Sequence, residues 1–353
     1  MSLWAGRVAV MWFKTPVNNK KRQGRRMDHV LVTGGAGYIG SHACKALARA
    51  GFTPVAYDNL STGWREAVKY GPLIEADLSD RAALNAAFAH YRPKAVMHFA
   101  ALSLVGESMR DPGRYWRSNV LGALNLIESA VDAGCLNFVM SSTCATYGDQ
   151  DGILLDENSA QQPINAYGAS KRAIEDILHG FAASHGLNPV IFRYFNVAGA
   201  DPEGELGEQH RPETHLIPLM LDAIEGRRPA LTLFGTDYPT PDGTCVRDYV
   251  HVSDLVAAHL LGLQWLFEGK QGCAFNLGSG RGFSVKDVIA AAGTVTNRPV
   301  PVVIGPRRPG DAASLVSGSG RAISELGWQP ERSDLTTMIS DALRWSRQPG
   351  YSC

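Results

Sequence analysis

The chain has 353 residues, 45 % apolar and 19 % charged, with 37 glycines and 19 prolines dispersed along it; collagenous and disordered classes are excluded, and one large α/β domain or two joined ones is predicted. Basic and acidic residues number 34 each, but seven of the basic ones precede Met27, where no acid occurs, which leaves the remainder at net −7. Such a body lacks the basic surface that phosphate neutralisation requires, so DNA and RNA are set aside as partners. The six cysteines include no CxxC pair and the ten histidines no HExxH, so no metal site is predicted. No stretch reaches the roughly 18 apolar residues of a membrane span. The apolar start, Met1 to Phe13, carries its positive charge after its hydrophobic part, the reverse of a secretory signal. A reduced, cytoplasmic protein without a membrane partner is expected, with residues 1–26 either a disordered extension or an upstream reading of a chain that starts at Met27.

From His29 onward short β-rich runs alternate with longer helical ones, as in βαβ units around a parallel sheet. The pattern predicts a strand over His29–Thr33, a glycine turn and a helix through SHACKALARAG. Further strands are predicted over Thr53–Tyr57, Leu73–Glu75, Ala95–Phe99, Asn137–Ser141 and Pro189–Tyr194, and helices over Gly113–Ala133 and Asn165–His185. Six such strands define a Rossmann-type doubly wound parallel sheet over residues 27–195. After Asn196 glycine and proline increase and elements shorten, which predicts a smaller mixed α/β lobe over residues 196–353, with some segments returning to the first domain.

The first strand runs directly into Gly34, Gly35, Gly37 and Gly40. Glycines there permit a tight turn and let backbone N–H groups approach a pyrophosphate at a helix N-terminus. A lone glycine turn would be unremarkable; the strand before, the helix after and Asp58 closing the next strand together point to a dinucleotide. The Asp58 carboxylate can bond ribose hydroxyls and repel a 2′-phosphate, favouring NAD over NADP. Asp77, after the third strand, can accept from an adenine amino group or cap the helix that follows.

Tyr167 and Lys171, four residues apart in a helical segment, fall on one helix face. A phenol with an ordinary pKa of about 10 is a poor base at neutral pH, but neighbouring cations favour its phenolate. Lys171 and a nicotinium ring are expected to supply that charge. Thr143, in SSTCATYG at the end of the fifth strand, should face the same crevice, where its hydroxyl can both donate and accept.

The GxxGxxG spacing and Tyr167-Gly-Ala-Ser-Lys171 resemble the extended, sugar-nucleotide-modifying branch of the short-chain dehydrogenase/reductase superfamily. Within that branch HFAALSLVGES (98–108), YWRSNVLGALNL (115–126), RYFNVAGA (193–200), HLIP (215–218), LFGTDYPTPDGTCVRDYVHVSDL (233–255) and RRPGD (307–311) are similar to the UDP-glucose 4-epimerase family. The resemblance implies galactose metabolism: interconversion of UDP-galactose and UDP-glucose through a 4-keto sugar, with transient reduction of tightly held NAD and catalysis by Tyr167, Lys171 and Thr143. It implies NAD contacts from Gly34, Gly37, Tyr38, Ile39, Gly40, Asp58, Asn59, Leu60, Ser61, Thr62, Gly63, Asp77, Leu78, Phe99, Ala100, Ser103, Asn119, Thr143, Tyr167, Lys171 and Phe195. For the UDP-sugar it implies Thr143, Tyr167, Asn196, His215, Leu216, Thr232, Leu233, Phe234, Arg247, Arg308, Asp311 and Leu315. Arg247 and Arg308 suit phosphate as guanidinium forks, or form surface ion pairs, Arg247 with Asp248 and Arg308 with Asp311. A homodimer is implied through the helices at Gly113–Ala133 and Asn165–His185.

Three positions qualify the resemblance. Related dehydratases carry Asp-Glu after the active-site Thr, where this chain has Cys144 and Ala145, so elimination of water lacks its acid and base. Ser103 stands where many relatives carry Lys, removing one cation near the cofactor. Leu315 is expected to crowd an N-acetyl group at the sugar's C2. An epimerase of UDP-xylose/UDP-arabinose or of UDP-N-acetylhexosamines, and a non-catalytic NAD-binding regulator, are the alternatives.

Overall fold

The computed structural model describes residues 28–150, 153–308 and 311–351. The expectation for residues 1–26 lies outside the described residues, as do positions 309 and 310 of the RRPGD match. In chain order the first half forms β1 (His29–Thr33), α1 (Tyr38–Arg49), β2 (Thr53–Asp58), β3 (Leu73–Glu75), α2 (Arg81–Tyr91), β4 (Ala95–His98), α3 (Gly122–Asp132), β5 (Asn137–Ser141), α4 (Ala166–His185) and β6 (Asn188–Tyr194). The chain continues through α5 (Leu216–Ile224) and α6 (Val252–Phe267), returns as β7 (Ala274–Leu277), and makes its last long helix as α7 (Leu335–Arg347).

The seven strands lie in the order β7-β6-β5-β4-β1-β2-β3, every neighbouring pair parallel. A parallel sheet covered on both faces needs apolar side chains on both, which is why its strands read as continuous apolar runs. Val30 and Val32 of β1 pack on one face with Ala43 and Leu47 of α1 and Leu255 and Leu263 of α6. Leu31 points to the other, with Leu84 and Phe88 of α2, Leu126 of α3 and Ile174 and Leu178 of α4. The strand order reverses between β1 and β4, and a crevice at that switch point, beyond the carboxyl ends of the strands, is where such folds bind nucleotides.

A second sheet carries the lobe. Its central strand Val246–His251 pairs antiparallel with Gly282–Ser284 and parallel with Ser314–Ser317 and Asn196–Ala198, and Leu154–Leu155 extends it from the first half of the chain. Leu231–Phe234 and Val302–Gly305 form a separate parallel pair. Among the described residues no helix is long and apolar enough to cross a membrane.

Three expectations are corrected. The large sheet has a seventh strand, β7, supplied from beyond Asn196. Asp80, not Asp77, caps α2, its carboxylate accepting from Ala83 N at 2.9 Å. The helix expected over Gly113–Ala133 is three registers: Pro112–Tyr115, a π turn at Trp116–Leu121, then α3. The wide turn contains Asn119, which is buried and bonded to the loop after β4.

Candidate active site

The glycine loop is shaped by what lies against it. Gly34 has φ +72°, and a Cβ on it would lie 2.7 Å from the Ala100 nitrogen; one on Gly40 would lie 2.0 Å from the Gly34 carbonyl oxygen. Phe99 and Ala100 both donate their N–H to the Thr33 carbonyl, at 3.0 and 3.1 Å, so the ends of β1 and β4 are held together. Helix α1 starts with no side-chain cap and no acid in its first turn, leaving backbone N–H groups and the positive end of the helix dipole for a phosphate.

Asp58 ends β2 with one oxygen accepting from Ala36 N at 3.0 Å and the other from Leu60 N at 2.8 Å. Burial lifts this carboxyl above its ordinary range while the two N–H groups act against the rise. Each oxygen keeps a lone pair for a ribose hydroxyl. Asn59 donates to Asp77 at 2.6 Å, and Asp77, held low by Ser79, also accepts the Ser79 N–H at 2.8 Å. The turn through Ser61, Thr62 and Gly63 closes over the glycine loop, where Trp64 N donates to Ala36 O. Leu78 is buried under α3, Ile39 packs on the sheet, and the Tyr38 hydroxyl donates to Gly199 O at 2.6 Å. Ser103 is exposed. Asn119 clamps the loop after β4: its amide accepts from Leu102 N at 2.8 Å and donates to Leu102 O at 3.0 Å and Ser170 Oγ at 3.1 Å.

Beyond β5, Thr143 caps a short 3₁₀ turn, its hydroxyl oxygen accepting from Ala145 N at 3.1 Å, which leaves its hydrogen free to donate. Asn165 caps α4 by accepting from Gly168 N at 2.8 Å and so sets the first turn that carries Tyr167. Lys171, one turn on and buried, donates to the Ser141 carbonyl at 2.9 Å. Burial pushes the Tyr167 phenol up to about 12, with the Thr143 side chain acting against it; burial brings the Lys171 ammonium down to about 8, opposed by Glu175. Desolvation is thus the largest influence on both groups in the protein alone. Burial also pushes the Cys144 thiol well up, consistent with packing and not with a thiolate nucleophile.

Beneath these residues lies a network that the sequence reading missed. Glu175 of α4 pairs with Arg193 of β6 at 2.6 Å and accepts from Ser142; Arg193 also donates to the Tyr147 hydroxyl at 2.9 Å, which donates to Asn276 of β7 at 2.7 Å. The available signal was Arg193 itself, a cation in an apolar strand that demands a buried partner.

The lobe residues form a second group. Arg247 lies 3.8 Å from Asp311, which also accepts from Arg308 at 2.9 Å; the Arg308 guanidinium covers the Phe234 ring at 4.9 Å. The expected alternative Arg247–Asp248 pair does not form, because Asp248 accepts instead from Ser279, Gly280 and Ser317. Thr232 and Leu233 sit in the strand leading to Phe234. Asn196 pairs with Tyr249 across the lobe sheet. His215 occupies the N-cap position of α5, which Leu216 begins, without a side-chain cap bond. Leu315 joins the two groups: it pairs with Arg247 in the sheet and, like Phe195, packs against the cluster of Cys144, Tyr147 and Leu155.

Residues 30–278 match the NAD dependent epimerase/dehydratase family. The chain is 48 % identical over 318 residues to the UDP-glucose 4-epimerase of Rhizobium meliloti (strain 1021), covering 90 % of this chain and 97 % of that protein. It is 49 % identical over 318 residues to that of Rhizobium leguminosarum bv. trifolii, with the same coverage. The crystal structure of UDP-glucose 4-epimerase from Brucella ovis in complex with NAD superposes with a TM-score of 0.87 at 46 % identity, covering 92 % of this chain and 99 % of that one. The chain belongs to the NAD dependent epimerase/dehydratase family, among its UDP-glucose 4-epimerases, and is an NAD-dependent enzyme.

Proposed function

We propose that the chain interconverts UDP-galactose and UDP-glucose at C4 through a 4-keto sugar. The observation that carries the reading is the meeting of Thr143, Tyr167 and Lys171 at the carboxyl end of β5, in the parallel sheet whose β1 leads into the glycine loop. The loop and Asp58 fit NAD, which when bound supplies the hydride acceptor and donor at C4 and a nicotinium charge that favours the phenolate. Tyr167 takes the proton from the sugar's 4-hydroxyl and later returns it. Thr143 donates to the same oxygen as it becomes a carbonyl, and Lys171, tied to Ser141, orients the ribose side and adds positive charge. Cys144 and Ala145 offer neither acid nor base for elimination, so the ketone turns over and is reduced on its other face.

The second group holds the UDP. Arg247 and Arg308, now sharing Asp311, are placed to fork the diphosphate, with Asn196, His215, Leu216, Thr232, Leu233 and Phe234 around the nucleotide. Holding the nucleotide apart from the reacting groups lets the hexose rotate while UDP stays fixed. The chain works as a homodimer in this reading, with exposed Met109, Trp116 and Leu121 near the helices expected to pair.

The test is to incubate the purified protein with UDP-galactose without added NAD, following UDP-glucose formation and the absorbance of bound nicotinamide. Conversion is expected, and Tyr167→Phe should lower kcat by at least about 10²-fold with bound NAD retained. No conversion even with added NAD would overturn the reading in favour of a pentose or N-acetylated substrate.

A further inference from the structure

The loop before α5 gathers four metal-ligating side chains. The donor atoms of Glu208, His210, Glu213 and His215 all lie within 4.8 Å of one another. His215 Nδ1 is 2.9 Å from Glu213 Oε1 and 3.1 Å from Glu208 Oε1, and His210 Nδ1 is 3.5 Å from Glu208 Oε1 and from Glu213 Oε2. Ligand atoms about 2.0–2.1 Å from a tetrahedral zinc are separated from one another by roughly 3.3 Å, and with Oε1 of Glu208 and Oε1 of Glu213 as the oxygen ligands the nitrogen–oxygen separations of 2.9, 3.1 and 3.5 Å lie near that edge length.

Charge and burial point the same way. Metal ligation requires both imidazoles without their Nδ1 protons, and the two carboxylates then carry −2, which one divalent cation balances. The Glu208 side chain is only 9 % exposed, and among the described residues its carboxylate faces the two imidazoles and accepts no backbone hydrogen bond. The His210 Nδ1 atom is buried without a hydrogen-bond partner. A second acidic group, Asp201, Glu203 and Glu205, differs in that the Lys45 ammonium already bridges all three at 2.6, 3.0 and 2.8 Å. Backbone contacts hold the four-residue group in place: Trp64 Nε1 donates to Gln209 O at 2.7 Å and Trp345 Nε1 to Glu208 O at 3.1 Å. The Glu213 carboxylate is oriented by the N–H groups of Thr214 and His215, at 2.8 and 2.9 Å, the kind of outer-shell support that metal ligands carry.

We propose that Glu208, His210, Glu213 and His215 bind one divalent cation of the zinc class, through Nδ1 of each imidazole and one oxygen of each carboxylate. Two imidazoles with two carboxylates suit zinc over magnesium or calcium, which take oxygen ligands. The cation ties the loop to the start of α5. With Nδ1 on the metal, the other nitrogen of His215 is fixed as an N–H donor, the form that can serve a diphosphate; this last consequence rests on the proposed UDP site, whereas metal binding does not.

The test is metal content of the full-length protein, purified without chelators or metal-affinity resin and read by mass spectrometry, followed by zinc titration of the chelator-stripped protein against a chromophoric competitor. One zinc per chain with a submicromolar Kd is expected. His210→Gln should weaken it at least 100-fold with bound NAD and far-ultraviolet dichroism unchanged. Cobalt(II) loaded into the stripped wild-type protein should give the intense visible bands of a tetrahedral site, which requires no variant. Zinc bound only at millimolar concentration, zinc bound equally well by His210→Gln, or weak octahedral cobalt bands would each overturn the proposal. None of these readouts depends on epimerase turnover, so failure of the metal site and failure of the proposed activity are distinguishable.

Discussion

Glu175 lies one helical turn beyond Lys171 and pairs with Arg193 at 2.6 Å, the two side chains 1 % and 6 % exposed. One carboxylate thus neutralises the guanidinium carried by β6 and holds up the charge of the lysine beside the reacting tyrosine. Glu175→Gln should destabilise the protein by about 3 kcal/mol, because it leaves a buried cation without its counter-charge, and should lower the Lys171 pKa further. Urea denaturation checks the first effect, and the alkaline limb of kcat against pH, moved to lower pH, checks the second. Adding Arg193→Met to Glu175→Gln should recover much of the lost stability, since a buried pair is often replaceable by apolar packing.

Asn119 acts on the cofactor crevice through Leu102. Asn119→Ala removes a two-way clamp and leaves the partly buried Leu102 amide groups unmatched, at a cost of about 1–3 kcal/mol. The loop after β4 should loosen with it. Purified Asn119→Ala is expected to carry less bound nicotinamide than wild type after gel filtration, and to melt earlier by several degrees.

His259 is buried among Phe99, Phe192 and Tyr194, and burial lowers its pKa to about 4. Its folded pKa is below the unfolded value of about 6.5, so unfolding takes up a proton under acid conditions. The contribution to stability is complete above pH 6.5 and is lost as pH falls towards 4. His259→Phe removes that dependence: between pH 7 and pH 5 the wild type should lose roughly 2 kcal/mol more stability than the variant. Equal losses in paired urea titrations would contradict this assignment.

Leu315, like Phe195, packs against the cluster of Cys144, Tyr147 and Leu155, at the junction of the two groups of site residues. Replacing it with serine should open space for an N-acetyl group. The expected result is a rise of at least tenfold in kcat/KM for UDP-N-acetylgalactosamine, with UDP-galactose changed much less. Parallel assays of the two substrates decide it.

The sequence was most legible where a short apolar run is bounded by turn residues. The predicted limits of β1, β3 and β5 coincide with those observed, and the glycine loop is where strand, helix and acid jointly required it. Other features depended on contacts between distant segments. The strand β7 is four residues long and contains a buried Asn276, so nothing local distinguishes it from a loop; its pairing with β6 defines it. Asp248 adjoins Arg247 in sequence, yet neighbours in a strand point to opposite faces, and its carboxylate serves the loops around Ser279 and Ser317. The metal-type grouping before α5 was missed because its two histidines alternate with glutamates, a spacing with no familiar motif.

The late return of β7 has a consequence for synthesis. Until residue 277 has been made, β6 has an unpaired edge and the face later covered by α6 leaves Phe192 and Val190 without their partners. Open strand edges and uncovered apolar faces are where chains associate wrongly. A chain stopped at residue 195 should therefore aggregate, although it contains every glycine of the nucleotide loop and all three proposed catalytic residues: the large sheet of the cofactor half is completed only after the lobe segments from residue 196 to residue 273 have been made.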